Sequence, residues 1–287
     1  MGIGEPTWSF GNFHTHTRYC DGRGEPRDLA REAMRLGMPR LGFSGHNTLP
    51  FPTDWTMPEE NLAPYMAAVR EAKAAFADRL EIYLGMEVDW LPGVVTPGAQ
   101  RIRELGLDYV IGSVHFNDPR PGMHAWTVDG PPPEFQTMLR VGFGGDLRAL
   151  VEGYYRCVAA LAAEGACDFI GHFDIVKKNN RNESLFCEEE PWYRTAARGA
   201  LEAVARSGLP MELNTGGVMR AGLTSFYPST WILQEARELG IPVLLTSDTH
   251  RVEQLDGRFA EAVALLRRVG YRCQRQLTAS GWTDVEL

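Results

Sequence analysis

Two histidines one residue apart, His14 and His16, stand just before Asp21 in a chain whose first apolar run is Trp8-Ser9-Phe10. Side chains alternate along a strand with period two, so both imidazoles point to one side of an extended segment. Imidazole and carboxylate are first-row metal ligands. The same residue types recur after later apolar runs. His46 follows Leu41-Gly42-Phe43-Ser44, Glu87 follows the run from Glu81 to Met86, and His115 follows the run from Leu107 to Val114. His172 follows the run from Ala166 to Ile170, and Asp248 and His250 follow the run from Ile241 to Ser247. The chain has seven histidines, and six of them (14, 16, 46, 115, 172 and 250) stand at or just past such a run. A single histidine there is more often a hydrogen-bonded structural residue than a ligand. Six in one kind of position point to a shared metal site.

With Asp21, Glu87 and Asp248 there are nine candidate ligands. A catalytic zinc takes about three protein ligands plus water, so nine are too many for one ion. Two or three divalent ions fit, with some carboxylates shared. A nitrogen and oxygen set without thiolate suits Zn, Mn or Fe. Three divalent ions against three carboxylates leave a net positive site, suited to a phosphate. His124, beyond the Pro119–Gly122 stretch, sits at no strand end and reads as a loop residue or a substrate contact.

The elements that must position these groups alternate between apolar β-rich runs and amphipathic segments, the pattern of a parallel sheet or barrel. Seven strands are expected, the last being the run that ends at Asp248. Helices are expected over 26–36, 59–80, 97–105, 146–164, 191–207, 229–239 and 258–269, followed by a short tail. Pro26 opens the first helix and Gly37 closes it. No linker or composition break divides residues 1–287, so a single barrel domain is expected. Active sites of parallel barrels gather at the C-terminal ends of the strands, where the candidate ligands lie. Two long Pro- and Gly-containing loops, 116–145 and 173–190, read as lid or specificity loops.

Composition narrows the class. The chain of 287 residues is 44% apolar and 23% charged, ordinary for a globular protein. Its net charge of −8 argues against a broad nucleic-acid surface. The five cysteines form no CxxC pair, which disfavours a disulfide framework or a zinc finger. No apolar run approaches the roughly 18 residues of a membrane span, and the first residues lack signal-peptide character. A cytoplasmic location and no membrane partner are the expectations.

Taken in order, His14-Thr15-His16 with Asp21, Gly45-His46, Glu87, Gly112-Ser113-Val114-His115, Gly171-His172 and Ser247-Asp248-Thr249-His250 resemble the successive motifs of the PHP (polymerase and histidinol phosphatase) superfamily. The resemblance covers about residues 10 to 252. It implies a distorted (β/α)7 TIM-like barrel and a trinuclear metal site. Many members place a histidine eight residues after the first motif residue. Here that position is Gly22, and Asp21 takes the role. Wording around His14–Gly22, Ser113–Phe116, Gly171–Asp174, Glu212–Thr215 and Tyr227-Pro228-Ser229 is similar to the histidinol-phosphate phosphatase branch.

That branch implies a metal-dependent phosphomonoesterase that hydrolyses L-histidinol phosphate to L-histidinol and phosphate, a step of histidine biosynthesis. A metal-bridging hydroxide would be the nucleophile, with Asp248 and His250 placed to orient it. Arg18 and Arg220 are candidates to fork onto the phosphate, and Lys177 is a third cation near the site. In the 116–145 loop, Trp126 and Phe135 offer aromatic surface and Asp129 a carboxylate for the imidazole and amino end. Asp129 ahead of Gly130 is also an ordinary turn residue. Two other readings are a PHP-type phosphoesterase acting on nucleotides or other phosphoesters, and a non-catalytic metal-binding barrel.

Overall fold

The apolar runs form a parallel sheet in chain order. In a computed structural model, which describes residues 8–117 and 126–287, the strands are β1 (Arg40–Phe43), β2 (Glu81–Asp89), β3 (Tyr109–Ser113), β4 (Phe169–Ile170), β5 (Met211–Asn214) and β6 (Val243–Thr246). They pair β1-β2-β3-β4-β5-β6, every pair parallel. The expected first strand does not form as a continuous ladder. Isolated parallel bridges join Asn12 to Leu41 and Thr15 to Thr249. The Gly42 and Ser44 amides donate to the Asn12 and Thr15 carbonyls at 2.8 and 2.9 Å, and the Thr249 amide donates to the His14 carbonyl at 3.0 Å. This segment thus touches both edges of the six-stranded sheet and curls it into a distorted TIM-like barrel. Its ladder is interrupted where Asn12, His14 and His16 turn their polar groups inward.

Helices α1 (Pro26–Arg35), α2 (Glu59–Phe76), α3 (Gln100–Arg103), α4 (Pro132–Thr137), α5 (Leu147–Glu164), α6 (Pro191–Ser207), α7 (Gly216–Met219), α8 (Thr230–Glu238) and α9 (Phe259–Val269) fill the connections. The Asp146 carboxylate caps α5 by accepting from the Ala149 amide at 2.9 Å, satisfying one of the orphan donors of a helix start. The expected loop 116–145 is in part helical, since α4 and a π-helical turn, Met138–Gly142, occupy its second half. Prolines at 131–133 favour such a start because the first-turn amides need no partner. The expected loop 173–190 carries two 3₁₀ segments, Ile175–Asn179 and Arg181–Glu183. His124 and the Pro119–Gly122 stretch lie outside the described residues. Among the described residues no helix is long and apolar enough to cross a membrane.

Two glycines admit a tyrosine into the barrel. A Cβ on Gly42 or Gly85 would lie within 2.5 Å of Tyr109 side-chain atoms. Tyr109 uses that space to donate its hydroxyl to the Phe13 carbonyl at 2.7 Å.

The tail is not a loose end. It forms an antiparallel hairpin, β7 (Cys273–Thr278) with β8 (Gly281–Glu286). Gln276 accepts from the Gly11 amide at 2.7 Å, and Gln274 accepts from the Leu245 amide at 2.8 Å. Trp282 packs on Phe13, Tyr109 and Phe169. Tyr109 and Phe169 begin β3 and β4, so the hairpin seals the barrel end remote from the candidate ligands. Trp282 is half-buried, so Trp282→Ala is expected to cost about 2 kcal/mol of stability, somewhat less than a full core truncation. Chemical denaturation measures it. An unchanged midpoint would show that the hairpin does not brace the barrel.

Candidate metal and active site

Each strand end delivers its group to one place because all strands run the same way. His46 follows β1, Glu87 lies near the end of β2, His115 follows β3, His172 follows β4, and Asp248 and His250 follow β6. His14 and His16 come from the bridging segment, and Asp21 from the loop before α1. Glu87 is the hub. Its Oε2 lies 3.0 Å from His46 Nδ1, 3.3 Å from His14 Nε2 and 3.6 Å from His16 Nε2. Its Oε1 lies 2.8 Å from His172 Nε2 and 3.6 Å from His115 Nε2. Asp248 Oδ1 stands 3.2 Å from His16 Nε2 and 3.6 Å from His14 Nε2. Asp21 Oδ2 is 2.8 Å from His250 Nε2.

These residues make four overlapping groups whose ligand atoms lie within 4.8 Å of one another: His16/Asp21/His46/His250, His14/Glu87/His172, His14/His16/Asp248 and His46/Glu87/His115. All nine sequence candidates belong to at least one. His14 Nε2, His16 Nε2, His46 Nδ1, Asp21 Oδ1 and Glu87 Oε2 are buried and make no hydrogen bond among the described residues. Unsatisfied buried polar atoms are costly. Converging in one place, with imidazole and carboxylate mixed, they fit divalent cations.

Electrostatics favour the ligating forms at several positions. Burial opposes charge on Glu87, but His46, His14 and His115 outweigh it and hold the carboxyl well below its usual range. Asp248 is depressed likewise, against burial, by Arg220 and His14. Asp21 is lowered, again against burial, by His46 and His250. His16 is driven down to about 3, by burial first and by His250 and His46 next, so its imidazole is neutral near pH 7. His115 moves the other way, to about 10, because Asp89 and Glu87 overcome its burial. A cation binding there would have to displace that proton.

Two carboxylates in the site lie outside the sequence candidates. His14 Nδ1 pairs with Glu212 Oε2 at 2.8 Å, and His115 Nδ1 pairs with Asp89 Oδ1 at 2.8 Å. Each fixes a ring so that its Nε2 faces the cluster, the usual outer support of a ligating histidine. Their signal was present: Asp89 shares a strand face with Glu87, and Glu212 is an acid inside an apolar strand. Asp89→Asn is expected to weaken metal retention or activity about 10–100-fold. Metal content after dialysis together with steady-state kinetics measures this, and no change in either would remove the role.

The cluster opens into a cavity of about 720 Å³. Arg220 and Asp129, two of the expected substrate contacts, line it. Arg220 Nη2 donates to Asp248 Oδ2 at 2.6 Å, and its Nη1 also reaches the Asp248 carbonyl and His250 Nδ1. Asp129 pairs with Lys178 at 3.0 Å. Four expected contacts lie elsewhere. Arg18 is exposed and paired with Glu25, because its side chain leaves the turn on the solvent side. Lys177 is buried, 2.8 Å from Asp174, and donates to the Phe226 carbonyl and Ser229. The 3₁₀ turn sends Lys177 inward and the adjacent Lys178 to the cavity. Trp126 is half-buried but is not among the cavity-lining residues, and Phe135 is core. Aromatic lining comes instead from Phe51, Trp55, Phe116 and Tyr227.

A parallel barrel whose strand ends converge on buried imidazoles and carboxylates, beside a cavity with an arginine, is suited to metal-assisted hydrolysis. The PHP domain model matches residues 12–216. A Deinococcus radiodurans protein named "Probable histidinol-phosphatase" is 35% identical over 262 residues, 90% of this chain and 93% of its own. The Bacillus subtilis protein named histidinol-phosphatase is 27% identical over 253 residues, 83% of this chain and 92% of its own. The crystal structure of the Lactococcus lactis histidinol phosphate phosphatase, complexed with Zn, L-histidinol and phosphate, aligns with a TM-score of 0.71 at 19% identity. That alignment covers 95% of this chain and 98% of that one. The chain belongs to the PHP domain family, and along most of its length it is similar to proteins named histidinol-phosphatase.

Proposed function

We propose that this protein is a metal-dependent phosphomonoesterase that hydrolyses L-histidinol phosphate to L-histidinol and phosphate. The observation that carries the proposal is the Glu87 hub. One buried carboxylate within 3.6 Å of five imidazoles serves no packing purpose and would help hold divalent cations. Four groups sharing His14, His16, His46 and Glu87 support two or three ions, of Zn, Mn or Fe. His14, His16, Asp21, His46, Glu87, His115, His172, Asp248 and His250 would hold them. Divalent ions bound there supply Lewis acidity toward a phosphate and make water nucleophilic near neutral pH.

The chain's own groups do the rest. Arg220, at the cavity wall beside Asp248, places a fixed positive charge where a phosphate oxygen would lie. Asp248 and His250, just past the end of β6, would orient the attacking water. The His250–Asp21 pair at 2.8 Å fixes that imidazole. The organic end of the substrate extends along the wall that includes Lys178 and Asp129.

Steady-state kinetics on L-histidinol phosphate beside a panel of nucleoside monophosphates test the substrate. The expected kcat/KM is about 10⁴ M⁻¹s⁻¹ or above for L-histidinol phosphate, and far lower for every nucleotide. A preference for a nucleotide would keep the class of chemistry and replace the substrate.

A further inference from the structure

The aromatic surface beside the metal-type cluster comes from a loop that no sequence motif marks. Residues 47–58, between β1 and α2, carry Phe51 and Trp55 to the cavity wall, where both are half-buried. Trp55 presents its ring to His46 at 4.6 Å and to His115 at 5.0 Å, both roughly edge-to-face. It lies 5.9 Å from Phe116 at a shallow 32°. Phe51 meets Phe116 at 5.9 Å, edge to face. The three rings make one continuous wall that starts against two candidate ligands and runs outward. The loop holds it in place: Thr53 accepts from the Thr56 amide at 3.0 Å, and Met57 is buried. Carboxylates also line this cavity, Asp129 with its Lys178 partner and Glu134, which accepts from the Thr127 amide at 3.0 Å.

We propose that Phe51 and Trp55 are specificity-determining residues, forming the face on which a flat aromatic ring of the alcohol portion of the substrate stacks. The proposal rests on the phosphomonoesterase reading above and names the part of the chain that selects the alcohol. A phosphate held at the cluster projects its ester oxygen into the cavity, and the first surface beside His46 and His115 is the Trp55 ring. Aromatic rings there attract an imidazole by stacking, and more strongly when it is protonated, through the cation–π term. Glu134 at the same wall favours a cationic alcohol over one that carries a second phosphate. Trp55 also touches two candidate ligands, so Phe51, whose ring meets Phe116, gives the cleaner test.

The test compares wild type, Phe51→Ala and Phe51→Tyr on L-histidinol phosphate, with inorganic phosphate as a competitive inhibitor in the same assay. Phosphate occupies the cluster without needing the aromatic wall. Phe51→Ala is expected to raise KM for L-histidinol phosphate about tenfold, of the order of a lost aromatic contact. The inhibition constant of phosphate should stay unchanged, and Phe51→Tyr should restore KM. Equal weakening of substrate and phosphate, or no change in either, would overturn the proposal while leaving the phosphatase reading intact. A wild-type protein without turnover of L-histidinol phosphate would overturn that reading and this proposal with it.

Discussion

Glu87→Gln is expected to abolish turnover, with kcat/KM falling by at least about 10³-fold, beyond the 10–100-fold typical of losing an outer support. The change is nearly isosteric, so it isolates charge. Glu87 is fully buried, and both its oxygens face imidazoles, Oε1 toward His172 and His115, Oε2 toward His46, His14 and His16. Its Oε1 also accepts from Ser113 at 2.7 Å. An amide in this position has one oxygen and one NH₂, so one side of the hub turns from acceptor to donor. Two of the four ligand groups contain Glu87, and both lose an anionic oxygen. The variant should retain fewer metal ions per chain and keep its circular-dichroism spectrum. A Glu87→Gln protein with full metal content and near-normal kinetics would refute the hub.

Asp248→Asn should be the next most damaging change, lowering kcat by about 10²- to 10³-fold, the scale of removing one preorganised electrostatic group from an active site. Asp248 sits at φ 52°, the left-handed region that asparagine tolerates far better than most residues. Asn thus preserves the backbone while removing the charge, which Ala would not. The carboxylate serves two directions, His14 and His16 on one side and Arg220 on the other. Neutralising it weakens a ligand group and leaves the Arg220 guanidinium without its anion. The loss should appear in kcat and in metal stoichiometry together. A change confined to KM would instead mark Asp248 as a substrate-binding residue.

The strand-end chemistry was legible in the sequence because a parallel barrel converts a one-dimensional rule into a three-dimensional one. Groups that follow strands meet at one rim, and the nine candidates do converge there. The helices 191–207 and 258–269 were readable to within a residue, since Pro191, Gly208 and Gly270 punctuate them. What was not legible depends on side-chain direction or on pairing between distant segments. Lys177 and Lys178 are adjacent and chemically equal, yet a 3₁₀ turn buries the first and shows the second to the cavity. The tail from Cys273 onward carries only weak β character, and it becomes a hairpin because Phe13, Tyr109 and Phe169 leave an apolar end for Trp282 to cover. The segment from Asn12 to His16 read as a strand by alternation. In the fold it makes only isolated bridges, because its alternate residues carry polar groups that the site uses.

Phosphate release from L-histidinol phosphate by the purified protein, measured before and after exhaustive chelation with metal content in parallel, tests the metal site and the substrate at once. The expected result is two or three Zn, Mn or Fe ions per chain, loss of turnover on chelation, and recovery when a divalent ion is returned. Undiminished hydrolysis by a protein shown to be free of metal would contradict it.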